Sequence, residues 1–128
     1  MITVTRKFEV CIAHWLKDHP GKCKDLHGHN FQVEVTVTGN LNKNGMIVDF
    51  SELKGIVQNV LDEIDHKCLN TRFPMMNDQP TAEKVVDWLA CALIQKLLPL
   101  NISLVLVRLY ETSNCFVTWV REYWGKSE

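Results

Sequence analysis

The chain is expected to form an α+β domain: a four-stranded antiparallel sheet in strand-strand-helix-helix-strand-strand order, with both helices on one face. Three observations predict this. Phe31, Val33, Val35 and Val37 alternate with Gln32, Glu34, Thr36 and Thr38, the period of a half-buried strand. Leu53, Ile56, Val57, Val60, Leu61 and Ile64 then switch to a helical period and make one apolar stripe. Residues 102–111 and 114–124 are apolar on both parities, as strands covered on two sides are. The 128 residues fit one domain over 1–128. Folding at that size buries roughly two thirds of the unfolded surface.

Residues 3–14 read as the first strand. Val4, Phe8, Val10 and Ile12 share one parity, interrupted by Arg6, while Lys7 and Glu9 take the other. His14 continues the apolar parity at the far end. Residues 15–26 are a loop, marked by Asp18, Pro20 and Gly21. It is longer than the roughly 2–5 residues of a usual hairpin connection, and long loops in compact domains tend to carry function. Residues 27–38 form the second strand, with His27 and His29 on its apolar parity. Paired antiparallel, the two strands bring His14 near His27 and His29.

Gly39 to Ile47 is a loop with an Asn44-Gly45 turn. Asp49-x-x-Glu52 is a helix-start box, and the helix runs to about Asp65, closed by Asp65-His66. Residues 67–79 form another loop, ending in Asn77-Asp78-Gln79-Pro80. Thr81 caps a second helix over 82–98, with Glu83 in its first turn and Pro99 at its end. Its stripe is Ala82, Val85, Val86, Leu89, Leu93 and Leu97. The last two strands meet at Thr112-Ser113-Asn114. Two helices cover only one face of a four-stranded sheet, so the second face of this hairpin is expected to meet another subunit.

Composition narrows the function classes. The formal net charge is -1 and no block of like charges reaches the roughly five residues of a charge run, so no basic field invites nucleic acid. Five cysteines, an odd number without a C-x-x-C pair, argue against a disulfide framework and for a reducing, cytoplasmic setting. Residues 1–7 hold no signal-peptide core. No window approaches the ~18 apolar residues of a membrane span. A soluble intracellular domain is expected.

The organising stretch is Cys23-Lys24-Asp25-Leu26-His27-Gly28-His29-Asn30. Side chains two apart on a strand project to one face, so His27 and His29 form a paired nitrogen donor set and His14 supplies a third. His19 is an alternative third donor, but the alternation favours His14. Imidazoles suit zinc, and three protein ligands leave a fourth position for water or substrate. A closed structural site would recruit a fourth ligand, and Cys23 is available for that. Cys23 also lies between Lys22 and Lys24, whose charge favours the thiolate, the form that acts as base or nucleophile. Both roles stay open on the residues alone. Cys11, Cys68, Cys91 and Cys115 read as small hydrophobes. His66 suits either a helix C-terminal dipole or a functional site, and Glu111 reads as a carboxylate at a strand end.

These pieces together resemble the 6-pyruvoyl-tetrahydropterin synthase family, and more closely its queuosine-pathway branch, the 6-carboxytetrahydropterin synthases. The resemblance covers nearly the whole chain. It rests on Phe8-Glu9 leading to Ala13-His14, on Cys23-x-x-x-His27-Gly28-His29-Asn30-Phe31, and on Gly45-Met46-Ile47-Val48-Asp49-Phe50. It continues in Asp65-His66-x-x-Leu69-Asn70, Pro80-Thr81-Ala82-Glu83 and Glu111-Thr112. The short Lys24-Asp25-Leu26 spacer after Cys23 resembles the queuosine branch. Cys23 stands where folate-route relatives carry a glutamate. The resemblance implies a T-fold-like ββααββ unit whose sheets join into a β-barrel, two trimers stacking as a homohexamer. It implies zinc on His14, His27 and His29, with Cys23, Asp65 and His66 moving protons. It implies Glu111 anchoring the pterin ring, with Thr112 and Thr81 beside it. The implied reaction converts 7,8-dihydroneopterin triphosphate to 6-carboxy-5,6,7,8-tetrahydropterin, with loss of acetaldehyde and triphosphate. The alternatives are 6-pyruvoyl-tetrahydropterin synthesis, which keeps the three carbons, and a non-catalytic zinc- or pterin-binding oligomer with Cys23 as a structural ligand.

Overall fold

The computed structural model describes residues 1–73 and 79–122. The elements run β1 (Val4–His14), β2 (His27–Gly39), α1 (Phe50–Leu61), β3 (Lys67–Cys68), α2 (Leu69–Arg72), α3 (Ala82–Leu97), β4 (Ile102–Thr112) and β5 (Cys115–Val120). The residues expected at Asn77-Asp78 and at the end of the last strand, 123–124, lie outside the described set.

The sheet is mixed and five-stranded, in the order β3-β1-β2-β4-β5. This corrects the expected four-stranded antiparallel sheet. The extra strand is two residues long and comes from the segment read as a loop. Ile12 faces Lys67 and Ala13 faces Cys68 in parallel register. A parallel partner needs a long crossover, and α1 supplies it. The other pairings are antiparallel, with β1 on β2 from Val4–Val37 to His14–His27.

The observed α1 is shorter than its stripe suggested. Asp49 starts it by accepting from the Ser51 amide at 2.9 Å. After Leu61 the chain turns instead of continuing, because Ile64 stays in the core while His66 adopts φ 59°, a left-handed value that no α-helix propagates. That turn delivers Asp65 and His66 to the edge of β1. Thr81 caps α3, accepting from the Lys84 amide at 3.2 Å.

The core lies between one sheet face and the two longer helices. Val10, Ile12, Phe31, Val33, Val35, Val107 and Leu109 meet Leu53, Val57 and Leu61 of α1 and Val85, Leu89 and Leu93 of α3, all buried. Burying each such Val, Leu, Ile or Phe contributes about 1.5–3 kcal/mol. α3 packs across β4 and β5, and α1 across β1. The opposite sheet face carries Lys7, Glu34 and Arg108 on three neighbouring strands. Glu34 lies 3.8 Å from Lys7 and 3.5 Å from Arg108. Phe116 and Val120 remain exposed on β5. Among the described residues no helix is long and apolar enough to cross a membrane.

Candidate functional site

The apolar parity of β1 and β2 ends in histidine at both strands' meeting point. His14 lies opposite His27, and His29 follows two residues on. The rings of His14 and His27 are 4.5 Å apart between centroids, and those of His27 and His29 4.8 Å. Phe31 closes the floor, 5.3 Å from the His29 ring. The fourth member is Glu111. Its ligand atom and those of the three histidines lie within 4.8 Å of one another. Glu111 reaches them through a strand irregularity: Tyr110 faces Phe116 and Thr112 faces Cys115, leaving Glu111 as the extra residue. Bulges re-aim side chains in this way, often beside active sites.

The ring nitrogens are sorted by their surroundings. His14 Nδ1 is 2.8 Å from the Pro80 carbonyl and His27 Nδ1 is 2.8 Å from the Asp25 carbonyl. A carbonyl can only accept, so both Nδ1 atoms donate and both Nε2 atoms carry a free lone pair. The Nε2 atoms of His14, His27 and His29 are buried without a hydrogen-bond partner. His29 Nε2 lies 3.1 Å from Glu111 Oε1, close enough for ion pairing but not in hydrogen-bond geometry. Three buried, converging ring nitrogens without a hydrogen bond are costly unless something binds them. Carbonyl-oriented imidazoles are the usual outer support of a metal site. The donor set therefore fits a metal ion, and N3 with a carboxylate suits zinc. Burial holds the His14 imidazole below its ordinary pKa. The Pro80 contact works against that, and His27 and His29 add to the lowering.

A second group gathers at the edge of β1. Cys11, Asp65 and His66 place their ligand atoms within 4.8 Å of one another. Asp65 Oδ1 accepts from the Cys11 amide at 2.9 Å and lies 3.1 Å from His66 Nδ1. Cys11 Sγ donates to Asn30 Oδ1 at 2.8 Å. This group is internally satisfied, unlike the histidine cluster. Cys11 is one residue out of phase with Ile12 and His14, so strand alternation puts it on the opposite sheet face. A depression of about 580 Å³ opens there, lined by Cys11, Gly28, Asn30, His66 and Cys68 among others.

The structure thus gathers His14, His27, His29 and Glu111, and separately Asp65 with His66. Cys23 sits half-buried in a 3-10 turn, Lys22–Lys24, and belongs to neither group. Its carbonyl accepts from the Leu16 amide at 2.7 Å. The Thr81 hydroxyl is engaged as the α3 cap, one residue after the carbonyl that holds His14. Thr112 Oγ1 accepts from the amides of Asn114 and Cys115 in the β4–β5 turn. Sequence reasoning missed Cys11 and the place of Glu111 beside His29. The opposite parity of Cys11 was the available signal for the first, and the bulge left none for the second.

A model of the family described as 6-pyruvoyl tetrahydropterin synthase matches residues 3–122. The chain belongs to that family. The 6-carboxy-5,6,7,8-tetrahydropterin synthase of Rickettsia conorii is 32% identical over 136 aligned positions, covering 91% of this chain and 99% of that protein. A dihydroneopterin monophosphate aldolase of Pyrococcus furiosus is 39% identical over 88 positions, covering 69% and 72%. Among solved structures, the Caenorhabditis elegans 6-pyruvoyl tetrahydropterin synthase superposes with a TM-score of 0.81 at 26% identity, over 94% of this chain and 96% of that one. Within the 6-pyruvoyl tetrahydropterin synthase family this chain is thus similar to proteins named for more than one pterin reaction.

Proposed function

We propose that the chain is a zinc-dependent 6-carboxy-5,6,7,8-tetrahydropterin synthase that converts 7,8-dihydroneopterin triphosphate, with loss of acetaldehyde and triphosphate. The observation that carries it is the convergence of three buried Nε2 atoms that make no hydrogen bond. The relatives of that name over most of the chain give it the reaction. His14, His27 and His29 hold the metal. Bound there, zinc supplies a Lewis acid that polarises the hydroxyls of the substrate side chain.

The protein's own groups supply the rest. Cys23, flanked by Lys22 and Lys24, removes a proton as the thiolate. Asp65 orients His66 through the 3.1 Å contact, leaving Nε2 of His66 to exchange protons. The two Glu111 oxygens accept adjacent N–H donors from the aminopyrimidinone edge of the pterin, beside Thr112 and the Thr81 region. Since Cys23 and the Asp65–His66 pair do not meet within one chain, the working site is completed by a neighbouring copy. The assembly is a homohexamer, two trimers whose sheets join into a barrel. Supporting it, β5 pairs only with β4 among the described residues and leaves Phe116 and Val120 exposed. Five free thiols suit the cytoplasm.

The test is product analysis from 7,8-dihydroneopterin triphosphate with zinc content measured on the same sample. One equivalent of acetaldehyde per triphosphate is expected. Turnover without acetaldehyde would overturn the assignment in favour of 6-pyruvoyl-tetrahydropterin synthesis, the reading favoured by the fit to the nematode enzyme. A Cys23→Ala variant separates enzyme from passive binder: retained zinc with lost turnover supports the enzyme.

A further inference from the structure

Backbone groups at the outer edge of β1 are closed by side chains as much as by β3. Residues Cys11, Ala13 and Trp15 are two apart, so they turn their N–H and C=O groups to the same edge. At one end the His66 amide donates to the Cys11 carbonyl at 2.6 Å, and Asp65 accepts the Cys11 amide at 2.9 Å. In the middle Ala13 faces Cys68. At the other end the carboxamide of Asn70 brackets Trp15: Oδ1 accepts from the Trp15 amide and Nδ2 donates to the Trp15 carbonyl, both at 3.0 Å. Asn70 is 5% exposed. A side-chain amide here reproduces both bonds of a β-bridge that the backbone of α2 can no longer make.

The bracket acts where the strand would otherwise be least restrained. The β1–β2 ladder ends at the His14–His27 pair, so His14 is the last residue it holds. Trp15 is the next residue, and fixing its amide and carbonyl fixes the peptide that leaves His14. The His14 ring then keeps both its 2.8 Å contact to the Pro80 carbonyl and its Nε2 aim at the other two histidines. We infer that Asn70 is a positioning residue for the metal centre, acting on His14 through the backbone of Trp15. The segment from Asp65 to Asn70 also carries His66, so one short stretch sets the spacing of both groups along β1.

This rests on the zinc reading of the histidine cluster. The test measures zinc affinity of the full, metal-stripped chain by competition with a chromophoric chelator, beside the thermal midpoint of the metal-free protein. Asn70→Ala is expected to weaken zinc binding at least about ten-fold, as loss of outer support for a metal ligand does. Asn70→Asp keeps the acceptor for the Trp15 amide but sets an oxygen against the Trp15 carbonyl in place of the Nδ2 donor, and is expected to weaken zinc binding as well. It also decides the matter if the alanine variant does not fold. Val57→Ala, a core truncation in α1, lowers the midpoint without touching Trp15 and is expected to keep wild-type affinity. Wild-type affinity in the Asn70 variants, or equal weakening in Val57→Ala, would overturn the inference. A wild type that takes up no zinc removes the zinc reading itself, and this inference with it.

Discussion

Buried among two other imidazoles, His14 stays neutral below the ordinary histidine value of about 6.5. The unfolded chain therefore takes up a proton near 6.5 that the folded chain refuses. Above that pH both states are neutral and His14 leaves stability unchanged. As pH falls below it, the unfolded state binds more protons and stability drops, levelling once the lowered folded value is passed. Denaturant melts of the metal-free protein should show this loss on the acid side of 6.5, and a His14→Gln variant should lack it. Removing a ligand outright is more severe. His27→Ala or His29→Ala should leave no stoichiometric zinc after dialysis and abolish turnover, since two imidazoles remain. Turnover in a zinc-free His27→Ala sample would contradict the metal's role. Parity alone made these three histidines legible. It could not rank Glu111, because a bulged residue escapes the period of two.

The elements divide by how much sequence each had in which to declare itself. β2 and α3 are long enough to show several periods, and their observed limits lie within a residue or so of the expected ones. β3 has two residues and no period to show. Its existence depends on Asp65 and Asn70 reaching β1 through space, a contact between residues more than fifty positions apart. The early end of α1 is hidden for the same reason, since its stripe continues through the buried Ile64 past the last helical residue. The start of α1 was readable, and it is testable. Asp49→Ala removes the acceptor for the Ser51 amide and should cost about 0.5–2 kcal/mol. Urea titration would show a lower midpoint with an unchanged slope, and zinc affinity should stay at the wild-type level.

At the scale of the whole molecule, the apolar second face of the terminal hairpin was legible, and part of it stands open here. Phe116 stacks on Tyr110 with centroids 4.5 Å apart, yet remains 48% exposed, and Val120 is 61% exposed. An edge strand whose outer side has no partner among the described residues, carrying such side chains, is a template for another copy. Light scattering at micromolar concentration should give a mass near six chains. Val120→Lys should shift it towards smaller species, because a lysine on an edge strand blocks pairing. A monomeric wild type would overturn the assembly.

Strand β1 presents His14 to one side of the sheet and Cys11, with Asp65 and His66, to the other. Under the proposed function, in which one working site draws on both sets, the second set comes from a neighbouring copy. Genetically, that makes the two sets separable. A lesion in the histidine cluster and a lesion at His66 should complement each other when the two inactive proteins are co-expressed or refolded together. In a mixed assembly some junctions inherit one intact half from each parent, and activity should return there. Two lesions within the same set, such as His27→Ala with His29→Ala on separate chains, should never rescue one another.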